Sequence, residues 1–434
     1  MSRYEDALRT IYGYINRRAV LDTERPARTR RLLELTGRPH DFLQVVHVTG
    51  TKGKGSVCAM LSAALLANGY RVGLYTSPHL HSLRERIQVD GDPISEDELA
   101  DLVERLQMSF TAVEGLAFPE VMTALVLHYF VQRRVDVAVI EVHVGGMFDA
   151  TNVLQYRTLA SVINTIDYDH TDILGDTLAS IAYHKTGIIQ RQRPVISAEQ
   201  PLEARRVITE EATLDNAQLT TMGSDVAITI APPNEKNQAV LVSDEHFETN
   251  LRGVHQGANL ALAVTTLRQI DPNRLLLRNI HAGWDRVVWP GRLETVIDND
   301  GVSWLLDIAH NPAAARALAD YLDTVYGGRR RVIVYGSKAD KNVEAILSVI
   351  VRRGDELVLA ATESPPTAPP TDLLPYAPRE RVRVVKADGV VDAMGIARRI
   401  AGEKDLLLVT GSIFVVAVAR AHLLHIPAEY GSAR

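Results

Sequence analysis

The stretch from Gly50 to Ser56, GTKGKGS, sets three glycines, two lysines and two hydroxyl side chains within seven residues. That composition suits the holding of phosphate. Glycines let backbone amides converge on anionic oxygens, a following helix adds the positive end of its dipole, and a lysine reaches the terminal phosphates. VVHV precedes the glycines and VCAMLSAALL follows them, so strand, turn and helix come in direct succession. Lys54 is the residue to reach the phosphates and Ser56 the one to start the helix, with Thr51, Lys52, Gly53 and Gly55 completing a nucleotide-binding set. The spacing departs from the common phosphate-loop pattern, because Gly55 separates Lys54 from Ser56. Glycines that merely cap a βα turn are the alternative reading.

Charged groups elsewhere suggest what such a phosphate would meet. Glu141 ends the run VDVAVIEV, at the carboxyl end of a predicted central strand, where open α/β sheets bind their ligands. A buried carboxylate there requires a metal cation or an arginine partner. Asp307 likewise ends the apolar run SWLLDIAH. Arg292, after the Pro-Gly turn of WPGRLE, is suited to developing phosphoryl charge because it stays protonated and forks onto two oxygens; otherwise it is a surface arginine. Lys185 falls near the end of the predicted helix DTLASIAYHK, where a lysine complements the helix C-terminus. Taken alone, His170 is a helix cap or a core histidine, Ser77 a turn residue before Pro78, and His310 a helix N-terminal residue.

The elements that must position these groups alternate along the chain. QVVHVTG, YRVGLYT, VDVAVIEV, LASVINTI and RPVIS are apolar runs bounded by turn residues, and stretches of helical period separate them. Such alternation predicts a mostly parallel sheet with helices on both faces. Between residues 205 and 250 the pattern pauses, and DVAITI and QAVLVSD suggest a small antiparallel insertion. After the helix HQGANLALAVTTLRQI a second cycle opens near WPGRLE, with SWLLDIAH, RRRVIVYGS, DELVLAA, RVRVV and DLLLVTGS. The expectation is an α/β protein of two domains, an ATP-binding domain over 1–290 and a smaller Rossmann-like α/β domain over 291–434. ESPPTAPPTD reads as a proline-stiffened loop.

Of the 434 residues 46% are apolar and 23% charged, an ordinary globular balance. The net charge of −6 argues against a general nucleic-acid binder, which needs a basic surface. Cys58 is the only cysteine, fitting a reducing compartment and core packing. The opening residues MSRYEDALRTIYGYIN are charged and amphipathic, and no apolar run reaches the ~18 residues of a membrane span. These features predict a cytoplasmic protein that acts on small molecules, without nucleic acid or membrane; they do not fix its oligomeric state, for which a monomer is the expectation.

GTKGKGS, followed by GYRVGLYTSPHL and RERIQVDG, resembles the folylpolyglutamate synthase/dihydrofolate synthase family, a branch of the Mur ligase superfamily. The same order continues through EVHVGGMFDATN, DYDHTDILG, HKTGII, LRGVHQGAN, WPGRLE, LLDIAHNP, GSKADKN and VTGS, covering nearly the whole chain. The resemblance implies an ATP-dependent ligase that adds L-glutamate to dihydropteroate or a folate through an acyl phosphate. It implies two magnesium ions, one held by Ser77 and Glu141 and the other by His170. It further implies that Lys185 is carbamylated beside the second metal, and that Asn259, Arg292, Asp307 and His310 hold ATP. On this reading Lys54, His170, Lys185 and Arg292 are catalytic.

Departures from the family pattern concentrate on the acceptor side. Lys52 replaces the usual asparagine of the phosphate loop, and His184 and Thr186 flank Lys185 where the family has glutamate and alanine. Met147 and Phe148 replace arginine and leucine, and Ala117, Phe118, Pro119 and Glu120 replace a typical threonine or serine, two residues and glutamate. Phe148, Asp149 and Ala150 remain the expected substrate contacts, with Phe148 stacking on a pterin-like ring and Asp149 accepting from its amino group. Two rivals stand beside this reading. One is a ligase of the same superfamily acting on a different acid, though only about 50 residues precede the phosphate loop, too few for a separate UDP-sugar domain. The other is a phosphate-loop switch that binds a nucleotide without synthesis.

Overall fold

The computed structural model describes residues 2–15, 22–154, 157–271, 277–427 and 429; Met1 and Asn16 of the opening segment fall outside them. That segment is the helix Arg3–Tyr12, started by a reciprocal cap in which Ser2 Oγ accepts from the Glu5 amide and the Glu5 carboxylate accepts from Ser2 N at 2.8 Å. Its apolar face, Tyr4, Ala7, Leu8 and Ile11, is core. No described helix is long and apolar enough to cross a membrane.

Eight strands build the larger sheet: β1 (Val45–Thr49), β2 (Val72–Tyr75), β3 (Ile87–Val89), β4 (Asp92–Pro93), β5 (Val137–Glu141), β6 (Thr158–Ile163), β7 (Val195–Ser197) and β8 (Leu219–Thr221), in the order β4-β3-β2-β5-β1-β6-β7-β8. From β2 through β8 neighbouring strands run parallel, and β3 and β4 add an antiparallel edge. The central strands VVHVT and VAVIE are buried along their whole length, which explains their nearly unbroken apolar character. Because β1, β5 and β6 lie side by side, their carboxyl ends bring the phosphate loop, Glu141 and Asn164 to one edge of the sheet.

The pause expected between residues 205 and 250 is shorter than the sequence suggests. The helix Leu202–Leu214 and β8 extend the parallel sheet, since the Val195 and Ser197 backbone pairs with Leu219 and Thr221. Only β9 (Ile228–Ile230), β10 (Gln238–Val242) and β11 (Glu245–Thr249) form the antiparallel insertion. Short elements with few apolar residues gave too little periodicity to separate the two.

The second cycle folds as a six-stranded sheet of β12 (Glu294–Ile297), β13 (Ser303–Leu306), β14 (Arg331–Tyr335), β15 (Glu356–Leu359), β16 (Arg383–Lys386) and β17 (Leu406–Thr410), ordered β12-β13-β17-β14-β15-β16. It is parallel except for β12. Each face carries its own apolar layer, one built around Leu305, Ile333 and Leu408 and the other around Trp304, Val334 and Val409. Cross-links fix this sheet against the first part of the chain. Arg252 donates to Thr295 Oγ1 at 2.8 Å and to the Leu293 carbonyl, while the Glu429 carboxylate accepts from Ser82 Oγ at 2.6 Å and from Leu83 N at 2.9 Å.

Candidate active site

The phosphate loop is shaped by its glycines at two points where a side chain has no room. Gly53 caps the helix Lys54–Ala67 in the left-handed region at φ 75°, and a Cβ there would lie 2.4 Å from Asn259 Oδ1 and 2.5 Å from Asn164 Nδ2. A Cβ on Gly55 would lie 2.3 Å from the Trp289 ring, so the glycine lets the segment before Arg292 close onto the loop. Beneath the loop runs a buried amide chain. Asn164 Nδ2 donates to Asn259 Oδ1 at 2.9 Å, Asn259 Nδ2 donates to Gln256 Oε1 at 2.9 Å, and Gln256 Nε2 donates to Ser56 Oγ at 3.3 Å. Asn259 is therefore buried and engaged at both ends of its amide, a geometry that supports the loop from below.

Glu141 lies at the mouth of the loop, only 4% exposed. Its Oε2 accepts from Ser77 N at 2.9 Å, and Lys54 Nζ stands 3.9 Å from Oε1, too far to hydrogen-bond. Burial pushes this carboxyl above its ordinary value, opposed by the charge of Lys54, the Ser77 amide and the charges of His143 and Arg292. The cation partner is thus the loop lysine and not an arginine in contact. Among the described residues Oε1 accepts no hydrogen bond, which leaves it open to a hard cation. Carboxylate and hydroxyl oxygens, completed by water and phosphate, are what magnesium prefers.

His170 is less enclosed. It caps the short helix Thr171–Leu174 in the left-handed region, its side chain is 49% exposed, and Asp169 Oδ2 lies 3.9 Å away. It belongs neither to the core nor to a ready-made cluster: the described residues contain no group of three or more His, Cys, Asp or Glu side chains arranged to hold a metal. A metal at either position would take most of its ligands from nucleotide and water.

These placements set up a test. Glu141→Gln removes a carboxylate that burial already disfavours, so the variant is expected to melt at or above the wild-type temperature at neutral pH while needing about tenfold more magnesium for half-maximal activity. His170→Ala, at an exposed site, should shift stability by less than about 0.5 kcal/mol and also raise the magnesium requirement. Thermal melts beside magnesium titrations check both. A large drop in melting temperature with an unchanged titration would mean that these side chains only hold the fold.

Lys185 settles into a place that its helix position did not suggest. The residue is 4% exposed, and its Nζ donates to the Gly50 carbonyl at 2.8 Å, across to the phosphate loop and away from the carbonyls of its own helix. Burial, reinforced by the nearby charge of Lys54 and opposed by Asp169 and Asp149, pulls its pKa down to about 7. The loop 143–152 packs onto the end of the same helix: Met147 N donates to the His184 carbonyl at 2.7 Å, and a Cβ on Gly146 would lie 2.8 Å from the Lys185 carbonyl.

Across the junction, Arg292 faces this group from the second sheet. It is desolvated in the cleft, which lowers its pKa, and the charges of Asp307 and Glu141 oppose that shift. Asp307 accepts from Leu293 N at 3.0 Å and Ala309 N at 2.9 Å; burial raises its pKa against the pull of Arg292. His310 is exposed at the rim, with Nδ1 3.0 Å from the Ile308 carbonyl. Two residues escaped the sequence reading. His255 keeps contact with solvent, yet crowding by neighbouring groups, and after it the charge of Arg292, hold its pKa below the ordinary histidine value. Arg86 hydrogen-bonds His79 Nδ1 at 2.8 Å and lies 5.2 Å over the Phe118 ring. Both sit inside the quoted motifs HQGAN and RERIQVDG, yet no periodicity marks which side chain of a motif meets a distant segment.

On the expected acceptor side the picture changes. Asp149 is fully buried, and its carboxylate accepts from His143 N and Val144 N at 3.2 Å, Thr151 N at 3.0 Å and Thr151 Oγ1 at 2.6 Å. It staples its own loop, and Ala150 beside it is equally enclosed. Phe148 is half-exposed, edge-on to His184 at 5.7 Å. Glu120 is buried in an ion pair with Arg28 at 2.8 Å, and Phe118 stacks on Tyr12 at 6.4 Å. Of the three expected substrate contacts, Phe148 alone is open to a ligand.

Residues 48–267 match the family described as the Mur ligase middle domain, and residues 291–413 the Mur ligase glutamate ligase domain. The folylpolyglutamate synthase of Lacticaseibacillus casei is 32% identical over 409 residues, covering 91% of this chain and 93% of its own length. A probable bifunctional folylpolyglutamate synthase/dihydropteroate synthase of Haloferax volcanii is 34% identical over 404 residues; the match takes in 90% of this chain, which spans 47% of that longer relative. The structure of E. coli FolC in complex with DHPP and ADP superposes with a TM-score of 0.84 at 27% identity, covering 98% of both chains.

Proposed function

The chain belongs to the folylpolyglutamate synthase family of the Mur ligases, and from that premise we propose that it is an ATP-dependent ligase joining L-glutamate to a folate-type carboxylate, dihydropteroate or a folate glutamate. The observation that carries the reading is the meeting of Lys54, Glu141 and Arg292, from a phosphate loop, the end of a central strand and a second sheet, with Lys185 behind the loop. Both sides of the junction contribute charge to one spot. A ligase needs that arrangement, because phosphate must be transferred to one substrate and then displaced by another.

In the first step an oxygen of the acceptor carboxylate attacks the γ-phosphorus of ATP, the bond from that phosphorus to the β,γ-bridging oxygen breaks, and ADP leaves with its electron pair. In the second the free amine of glutamate attacks the acyl carbon, a proton is lost, and phosphate leaves. A carboxylate is a poor acylating agent until its oxygen becomes phosphate, which accounts for the nucleotide requirement. Lys54 and Arg292 would steady the charge on the transferred group from opposite sides, and the enclosed junction would exclude water from the acyl phosphate. No covalent enzyme intermediate is needed.

We assign Ser77 and Glu141 to one magnesium ion, and His170 with carbamylated Lys185 to a second. Bound there, magnesium would neutralise phosphate oxygens and polarise the phosphorus. His310 and Asp307 would border the nucleotide. The working units are 1–290 and 291–434, acting as a monomer in the cytoplasm. A different acceptor acid is favoured by a specific observation, the burial of Asp149 together with methionine at 147, which removes two polar contacts from the acceptor side.

The purified protein should release ADP only when glutamate and an acceptor are both present. Dihydropteroate, folate and folate glutamates are compared by ADP release and by the mass of the product, expected to grow by one glutamyl unit. Glutamate-dependent release with none of these acids would move the assignment to another acceptor, and release without glutamate would replace the ligase by a switch.

A further inference from the structure

We propose that Lys52 is a further positioning residue of this site, clamping Asp167 so that the phosphate loop and the segment bearing His170 hold one alignment for a magnesium nucleotide. The inference deepens the ligase reading and rests on its nucleotide site. Lys52 stands where the resembled family usually has asparagine, a side chain too short and uncharged to make the same tie. Its Nζ lies 2.5 Å from Asp167 Oδ2.

The pair does not act alone. Thr51 N donates to the Thr165 carbonyl at 2.9 Å, Thr51 Oγ1 donates to the Asp167 carbonyl at 3.0 Å, and Asp167 N donates to Thr51 Oγ1 at 3.1 Å. The loop is thereby stitched to residues 165–167, which lead directly through Tyr168 and Asp169 to His170. From the other side Lys185 holds the Gly50 carbonyl. Lys54, two residues beyond Lys52, and His170, three beyond Asp167, are the groups whose separation this stitching sets.

Lys52 itself is turned toward Asp167, with 37% of its side chain exposed against 40% for the aspartate. Partial burial works against the Asp167 charge, yet hydrogen bonds from Lys52 and Tyr168 N and the charges of Lys52 and Arg316 hold its carboxyl below the ordinary range. An ion pair this exposed adds little to global stability. Its consequence is alignment, because small displacements of phosphate-binding groups weaken binding out of proportion to their effect on the fold.

The test is calorimetric binding of a non-hydrolysable ATP analogue with magnesium to the full chain, beside thermal melts. Lys52→Asn and Asp167→Asn are each expected to weaken binding about three- to tenfold, the double variant no more than either single, and Lys52→Arg to retain most of the affinity. Melting temperatures should stay within about 2 °C of wild type. If Lys52→Asn weakens binding while Asp167→Asn does not, the lysine touches phosphate directly and the clamp is wrong. Equal affinity in all variants also overturns it, leaving the ligase reading intact, and a wild-type chain that binds no magnesium nucleotide overturns both.

Discussion

Lys54→Ala is expected to lose ATP turnover by about three orders of magnitude, a barrier increase of ~4 kcal/mol. The lysine begins the helix after the phosphate loop, and its charge is the cation nearest the buried carboxylate of Glu141. A lysine standing free in solvent at a loop tip could be removed without effect on stability, but this one is not free. The Lys54 side chain is 17% exposed, and without it Glu141 keeps the Ser77 amide but loses the largest influence lowering its pKa. The variant should therefore also lose about 1–3 kcal/mol of stability at neutral pH, between the values for exposed and buried pairs. Acid should narrow the gap, because the folded-state pKa of Glu141 is raised and its protonation removes the stranded charge. Adding Glu141→Gln to Lys54→Ala should restore the melting temperature and leave turnover lost. Rates of ADP release and melts of the single and double variants decide the matter: near-normal turnover in Lys54→Ala would refute the phosphate role, and a double variant no more stable than the single would refute the pairing.

What the sequence made legible was whatever repeats locally. Runs such as QVVHVTG and VDVAVIEV announce buried parallel strands by their high content of valine and isoleucine, and GTKGKGS between strand and helix announces a phosphate loop by composition. The ends of those strands gave Glu141 and Asp307 as carboxylates needing compensation. Contacts between distant segments were illegible. Lys185 and Gly50 are 135 residues apart, and helical period places the lysine near a C-terminus without revealing which carbonyl it meets. Asp149 has the residue type of a substrate acceptor, but a short carboxylate two residues before a threonine is equally able to bind its own loop amides, and it meets them in the structure. Asn259 was read by motif as a nucleotide contact, and its amide contacts with Asn164 and Gln256 on either side were not legible.

Lys185→Ala should lower the ligase rate about a thousandfold, with acetate or formate restoring at least about tenfold of it. The reason lies in the state of the amine. Carbon dioxide adds to a neutral amine with loss of a proton, and a pKa brought down to about 7 leaves much of Lys185 uncharged at physiological pH. Its site beside the Gly50 carbonyl is enclosed, near Lys54, where a new negative charge would find a cation. A small carboxylate entering the space vacated by Lys185→Ala supplies that charge without the covalent step. A lysine that only complements its helix predicts no rescue and a stability loss of ~0.3–1 kcal/mol. Stability in the absence of bicarbonate gives a second handle. Folding lowers the pKa from 10.5 to about 7, so between these values the unfolded chain holds the extra proton and stability gains with rising pH; below 7 the buried charge is at its most costly. Lys185→Met should accordingly be more stable than wild type at pH 6, with the advantage fading toward pH 10. Depleting carbon dioxide should slow the wild type, and bicarbonate should restore it together with a mass increase on Lys185. Near-normal activity of Lys185→Ala, or an unmodified lysine in a fully active enzyme, would end the carbamate assignment.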